Sequence, residues 1–154
     1  MEFKFKTLPP VLLPERQGPR VLIVDDDHKS LVITADLLRA VNATICTAAS
    51  GKEAIRWFLE ETPLDLVLLD LYMPDMNGFQ TFEAIRETEW YNSHRRRIPF
   101  IAVSSNMLAE PKQQFLKSTG FKDYITKPLR KEAFIPMIRH HAPYAHIDPT
   151  AAWY

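Results

Sequence analysis

Between Arg20 and His141 a short apolar run is followed, five times over, by a segment with helical spacing. The runs are RVLIV, ATICTA, LDLVLLD, IPFIAVS and FKDYIT. Most of them lack the polar/apolar alternation of a strand with one wet face, so they read as strands covered on both faces. Parallel neighbours need a crossover of about a dozen residues or more, and each helical segment can supply one. The expectation is an α/β domain built on a doubly wound, five-stranded parallel sheet with helices on both faces. In such sheets ligands bind beyond the carboxyl ends of the strands. Residues that end the apolar runs are therefore the ones to inspect.

The helical segments carry their own signals. SLVITADLLRAV places Leu31, Ala35 and Leu38 on one face, and in SGKEAIRWFLEE Ser50 is positioned as an N-cap. NGFQTFEAIRE spaces Phe79, Phe82 and Ile85 three apart. TEWYNSHRRR reads as a polar, basic connection, its HRRR run a solvated loop. EPKQQFLKST has Pro111 at a plausible first helical position and Gly120 as its stop. In the last helix, RKEAFIPMIRHH, Pro136 predicts a kink, a late start or a shortened helix, because an interior proline removes a donor and costs about 3 kcal/mol. Residues 1–19 hold four of the twelve prolines and read as an extended linker. Residues 20–141 form the domain and 142–154 a tail.

Composition narrows the function classes. Nineteen basic and nineteen acidic residues cancel, so no overall field draws the chain to nucleic acid or anionic lipid. The lone Cys46 sits in an apolar run and reads as core packing; without a second cysteine no internal disulfide forms, which suits a reducing compartment. No apolar stretch approaches the roughly 18 residues of a spanning helix, and MEFKFKTLPP lacks the core of a signal peptide. The expected location is cytoplasmic, with no direct membrane contact. The five histidines show no metal-ligand spacing.

Taken one at a time, the strand ends are ordinary. Asp25, Asp26 and Asp27 suit a helix N-terminus, Asp70 a turn, Ser104 and Ser105 a helix cap, and Lys127 a wet surface. A parallel sheet, however, brings all of them to one edge. Several carboxylates there make a hard-oxygen site of the kind that holds Mg²⁺ (or Mn²⁺) with water. A lysine and a hydroxyl beside them could hold the oxygens of a phosphoryl group. Asp70, between them, becomes a candidate nucleophile able to carry an acyl phosphate.

VLIVDDD, LLDLYMPDMNG, IPFIAVSSN and DYITKPL together resemble the receiver domain of two-component response regulators, over Arg20 to His141. The resemblance implies a flavodoxin-like sheet of strand order 2-1-3-4-5. It also implies that Asp70 is the phosphoacceptor, that Asp26 binds Mg²⁺ directly and Asp25 mainly through water, and that the backbone carbonyl of Tyr72 is a further ligand. Ser104 matches the hydroxyl that turns toward the phosphoryl group, and Lys127 the lysine that pairs with it, before a Pro128 whose bond is often cis in the family. Tyr124 matches the aromatic switch, expected to swing inward once Ser104 has moved. The face that would report the change comprises the helix after the fourth strand, the fifth strand and the last helix. Asp27 has no family role. Tyr72 and Asn106 match positions that tune water access to the acyl phosphate.

The implied partners are a sensor histidine kinase and/or a histidine phosphotransfer protein, whose phosphohistidine supplies the phosphoryl group. The domain would catalyse its own phosphorylation without turning over a separate substrate. EFKFKTLP resembles the closing strand of a histidine-kinase ATP-binding domain, and SSNML a variant common in hybrid kinases, so the expected origin is the receiver of a hybrid sensor kinase or a descendant of one, with a single-domain regulator as the alternative. After His141 too few residues remain for a helix-turn-helix output domain. Two alternatives compete with this reading. A phosphohydrolase of the haloacid-dehalogenase type wants a second aspartate two residues after the nucleophile, where this chain has Tyr72. A receiver-like interaction module that works without phosphate usually lacks part of the acid and lysine set, all of which is present here.

Overall fold

The computed structural model describes residues 18–94 and 98–142. The linker and tail expected at the two ends, except Gly18, Pro19 and Ala142, lie outside them, as do Arg95 to Arg97 of the HRRR run. The described residues form one five-stranded sheet in the order β2-β1-β3-β4-β5, with all pairs parallel. The strands are β1 (Arg20–Val24), β2 (Thr44–Ala48), β3 (Leu66–Asp70), β4 (Phe100–Ser104) and β5 (Asp123–Thr126). Every residue of β3 and β4 is buried, whereas β2 and β5, at the edges, are partly exposed. The continuous apolar runs and the central positions correspond, as double coverage requires.

Side chains alternate across the sheet, so odd and even positions feed different cores. Val21, Ile23, Leu66, Leu68, Ile101 and Val103 point to one side, where they meet α1 (His28–Leu38) and the last helix, α6 (Lys131–His141), through Leu38, Phe134 and Ile138. Leu22, Val24, Val67, Leu69, Phe100 and Ala102 point to the other. That second core is aromatic: Phe58 of α2 (Gly51–Leu59), Phe82 of α3 (Gly78–Arg86), Phe115 of α5 (Lys112–Thr119), Phe121 and Tyr124. Phe82 stacks on Phe100 with ring centroids 4.4 Å apart. Fully burying side chains of this size contributes about 1.5–3 kcal/mol each.

Several local expectations hold. Asp27 caps α1 by accepting from the Lys29 backbone N–H at 3.2 Å, and Ser50 caps α2 through Glu53 N–H. Gly120 ends α5 with φ +89°, a conformation glycine tolerates. Pro111 stands one residue earlier than expected, at the N-cap.

One expectation needs correction and another is narrowed. The supposed connection after α3 contains a helix, α4 (Glu89–His94), because Tyr91 is buried against Phe58, Phe82 and Phe100. The last helix neither starts late nor is shortened: it runs from Lys131 to His141 with Pro136 inside. Pro136 and Glu132, the residue whose carbonyl loses its partner, are both on the exposed face, so water can take the place of the missing N–H.

Candidate functional site

The register of the sheet builds the site. Val24 pairs with Leu69, Asp70 with Val103 and Ser104 with Thr126, so Asp25, Asp70, Ser104 and Lys127 come off neighbouring strands at one edge. The ladder continues past the strand ends. Asp25 N–H donates to Ala48 O at 3.0 Å, Leu71 N–H to Val103 O at 3.0 Å, and Lys127 N–H to Ser104 O at 2.8 Å. These bonds fix the backbone under each functional side chain. Gly78 closes the loop after β3: its N–H donates to Leu71 O, and a Cβ there would collide with the Asp70 carbonyl and come within 2.7 Å of Leu71 Cα. Only glycine lets α3 start so close to the acid.

Carboxylate oxygens of Asp25, Asp26 and Asp70 lie within 4.8 Å of one another. Asp25 and Asp70 are buried, and Asp26 is exposed. Lys127 reaches across, its Nζ 2.7 Å from Asp25 Oδ2 and 3.4 Å from Asp70 Oδ2. One ammonium among three carboxylates leaves the edge short of positive charge. Burial pushes the Asp70 carboxyl up, the Tyr72 N–H it accepts at 3.2 Å lowers it, Asp25 raises it and Lys127 lowers it again; the balance stands at about 6. Burial works against the Lys127 charge as well, but the bond to Asp25 and the fields of both carboxylates hold its pKa above the ordinary value. The chemistry is that of a small hard cation's site: oxygen donors only, anionic, and open on the Asp26 side.

Ser104 is fully buried, and its Oγ accepts from Asn106 N–H at 3.0 Å rather than capping a helix. Asn106 also accepts, through its carbonyl, the hydroxyl of Tyr124. Tyr124 is buried edge-on against Phe115, with centroids 5.3 Å apart. The Lys127–Pro128 peptide bond is cis. Tyr72 is 57% exposed beside Asp70.

Two features were not anticipated. Ser30, in the first turn of α1, donates to Asp27 Oδ2 at 3.0 Å and lies 3.4 Å from Lys127 Nζ. Its signal was a serine three residues after an N-cap aspartate, hence on the same side of the helix. Away from this edge, Asp123 at the start of β5 accepts from Lys112 of α5 and, at 2.9 Å, meets His141 Nε2 of α6. Nothing in the spacing of those three residues announced that they would meet.

The family model described as the response regulator receiver domain matches residues 21–139. The chain belongs to that family. The receiver domain is 34% identical, over 122 residues, to the sensor histidine kinase GacS of Pseudomonas protegens, an alignment covering 79% of this chain and 13% of that protein. It is 31% identical to the signal transduction histidine-protein kinase BarA of Shigella flexneri, over 91% of this chain and 15% of the relative. It therefore spans only a small part of the curated relatives it matches. Among solved structures, the chemotaxis protein CheY4 of Vibrio cholerae is similar with a TM-score of 0.68 and 25% identity, over 80% of this chain and 98% of that chain. A receiver domain of two-component signalling thus accounts for both the sheet order and the relatives. Among the described residues no helix is long and apolar enough to cross a membrane.

Proposed function

We propose that this receiver domain accepts a phosphoryl group onto Asp70 from a phosphohistidine of a sensor histidine kinase or a histidine phosphotransfer protein. The observation that carries the reading is the joint approach of Lys127 to Asp25 and Asp70 beside the triad of carboxylates. An Asp70 oxygen attacks phosphorus, the P–N bond breaks, and its electron pair leaves with the donor imidazole. Asp26, Asp70 and the Tyr72 carbonyl would hold Mg²⁺ directly, with Asp25 acting through water; the ion would neutralise charge on the phosphoryl oxygens. Lys127 pairs with one such oxygen and Ser104, released from Asn106, donates to another. Bonding of Ser104 to the phosphoryl group would favour the packing in which Tyr124 lies inward, and the face of α5, β5 and α6 would carry that bias to a partner.

Exposed apolar side chains support a protein donor. Val32 and Ile33 on α1, Tyr72 after β3 and Met107 after β4 all stand on segments at or near the acid edge, and all are more than half exposed. The kinase names of the relatives agree with a donor of this kind.

The test is incubation with acetyl phosphate and Mg²⁺, read by intact mass. The wild type should gain one phosphoryl group, and Asp70→Asn should gain none. Chelation of the divalent ion should abolish the gain. A wild type that stays unmodified while binding its partner would instead make this an interaction module that works without phosphate.

A further inference from the structure

Lys127 is the only cation that reaches the buried carboxylates among the described contacts, and its three N–H bonds have three acceptors: Asp25, Asp70 and Ser30. Two of these are carboxylates that phosphorylation commits elsewhere. The third is a neutral oxygen on a different element, α1.

We infer that Ser30 is a positioning residue for Lys127: its hydroxyl, oriented by Asp27, holds the ammonium at the acid edge. The inference rests on the reading of Asp70 as phosphoacceptor. A serine hydroxyl has one proton and two lone pairs. The proton goes to Asp27 Oδ2 at 3.0 Å, which leaves the lone pairs free to face Lys127 Nζ at 3.4 Å. Asp27 is itself fixed as the N-cap of α1, through Lys29 N–H. A chain of contacts therefore runs from the helix terminus through Asp27 and Ser30 to the lysine.

The arrangement matters when Asp70 carries the phosphoryl group. The ammonium must then leave its carboxylate partners for a phosphoryl oxygen, on a long flexible stem with four rotatable bonds. A partner that takes no part in the chemistry limits where the stem can go, and so favours the geometry in which Lys127 meets the incoming charge. Asp27 gains a role beyond capping: it decides which way the Ser30 hydroxyl points.

The test compares the full chain with its Ser30→Ala and Ser30→Thr variants, using acetyl phosphate with saturating Mg²⁺ and initial rates from intact mass. Ser30→Ala should slow phosphorylation by about three- to tenfold, the worth of one ordinary hydrogen bond, because the contact is long. Ser30→Thr, which keeps the hydroxyl, should return to within about twofold of the wild type by the same reasoning. A second reading needs no phosphate. Proton exchange of the Lys127 ammonium, followed by NMR in the metal-free protein, should be faster in Ser30→Ala and unchanged in Ser30→Thr. A wild-type rate in Ser30→Ala, or a loss that Ser30→Thr does not restore, would assign Ser30 to helix structure alone and overturn the inference. Were the wild type itself to take no phosphoryl group, the phosphoacceptor reading would fall and the catalytic part of this inference with it. The ammonium exchange would still decide whether Ser30 holds Lys127.

Discussion

Asp123 shows how much one side chain can hold. It joins three elements, because it accepts from Lys112 of α5, from the N–H of Tyr124 on its own strand, and lies against His141 of α6. Burial pushes its carboxyl up, but the hydrogen bonds of Lys112, His141 and Tyr124 N–H together outweigh that and hold it below the ordinary aspartate value. The sign of the linkage follows. A depressed carboxyl stabilises the fold fully above its unfolded value near pH 4, and that stabilisation fades as pH falls through the folded value. Asp123→Asn should therefore unfold more easily, by about 1–2 kcal/mol at neutral pH once the exposure of Lys112 is allowed for. Urea titrations at several pH values should show the gap between wild type and variant closing below about pH 4. The position next to Tyr124 gives the residue a second interest: it ties together the three elements proposed to signal.

At the scale of elements, the sequence disclosed what depends on local pattern and hid what depends on distant contact. The parallel sheet and its acid edge were legible because continuous apolar runs, crossover lengths and strand-end residues are all local properties. Asp25, Asp26, Asp70, Ser104 and Lys127 could be brought together on that basis alone. Helix α4 was not legible: its polar residues dominate, and only the burial of Tyr91 under Phe58 and Phe100 explains it. The meeting of Lys112, Asp123 and His141 was hidden for the same reason, since it spans two helices and a strand. Of the outcomes expected at Pro136, a late start and a shortened helix do not occur; the exposed face lets water take the place of the missing donor. The cost of proline in α6 is nonetheless real. Pro136→Ala should raise stability by about 2 kcal/mol, the helical gain less the entropy returned to the unfolded chain. A higher urea midpoint with unchanged slope would be the result to look for.

For the whole molecule, the sheet is a wall shared by two cores that differ in kind. The side under α1 and α6 is mainly aliphatic, with Phe134 its one buried aromatic among the described residues, and the side under α2 to α5 is aromatic. Because every strand serves both, neither core can be lost alone, and the domain should unfold in a single cooperative step. Phe134→Ala should lower that stability by about 3–5 kcal/mol, the cost of emptying a buried aromatic site. The asymmetry also decides what light can report. Two of the three tryptophans, Trp57 and Trp90, pack against the aromatic core. Read with Trp153 replaced by phenylalanine, their emission should follow rearrangements near α2 to α5 while remaining blind to a loosening of α1 or α6 in the folded state. A fluorophore attached to the outer surface of α1 would supply the missing half of the view.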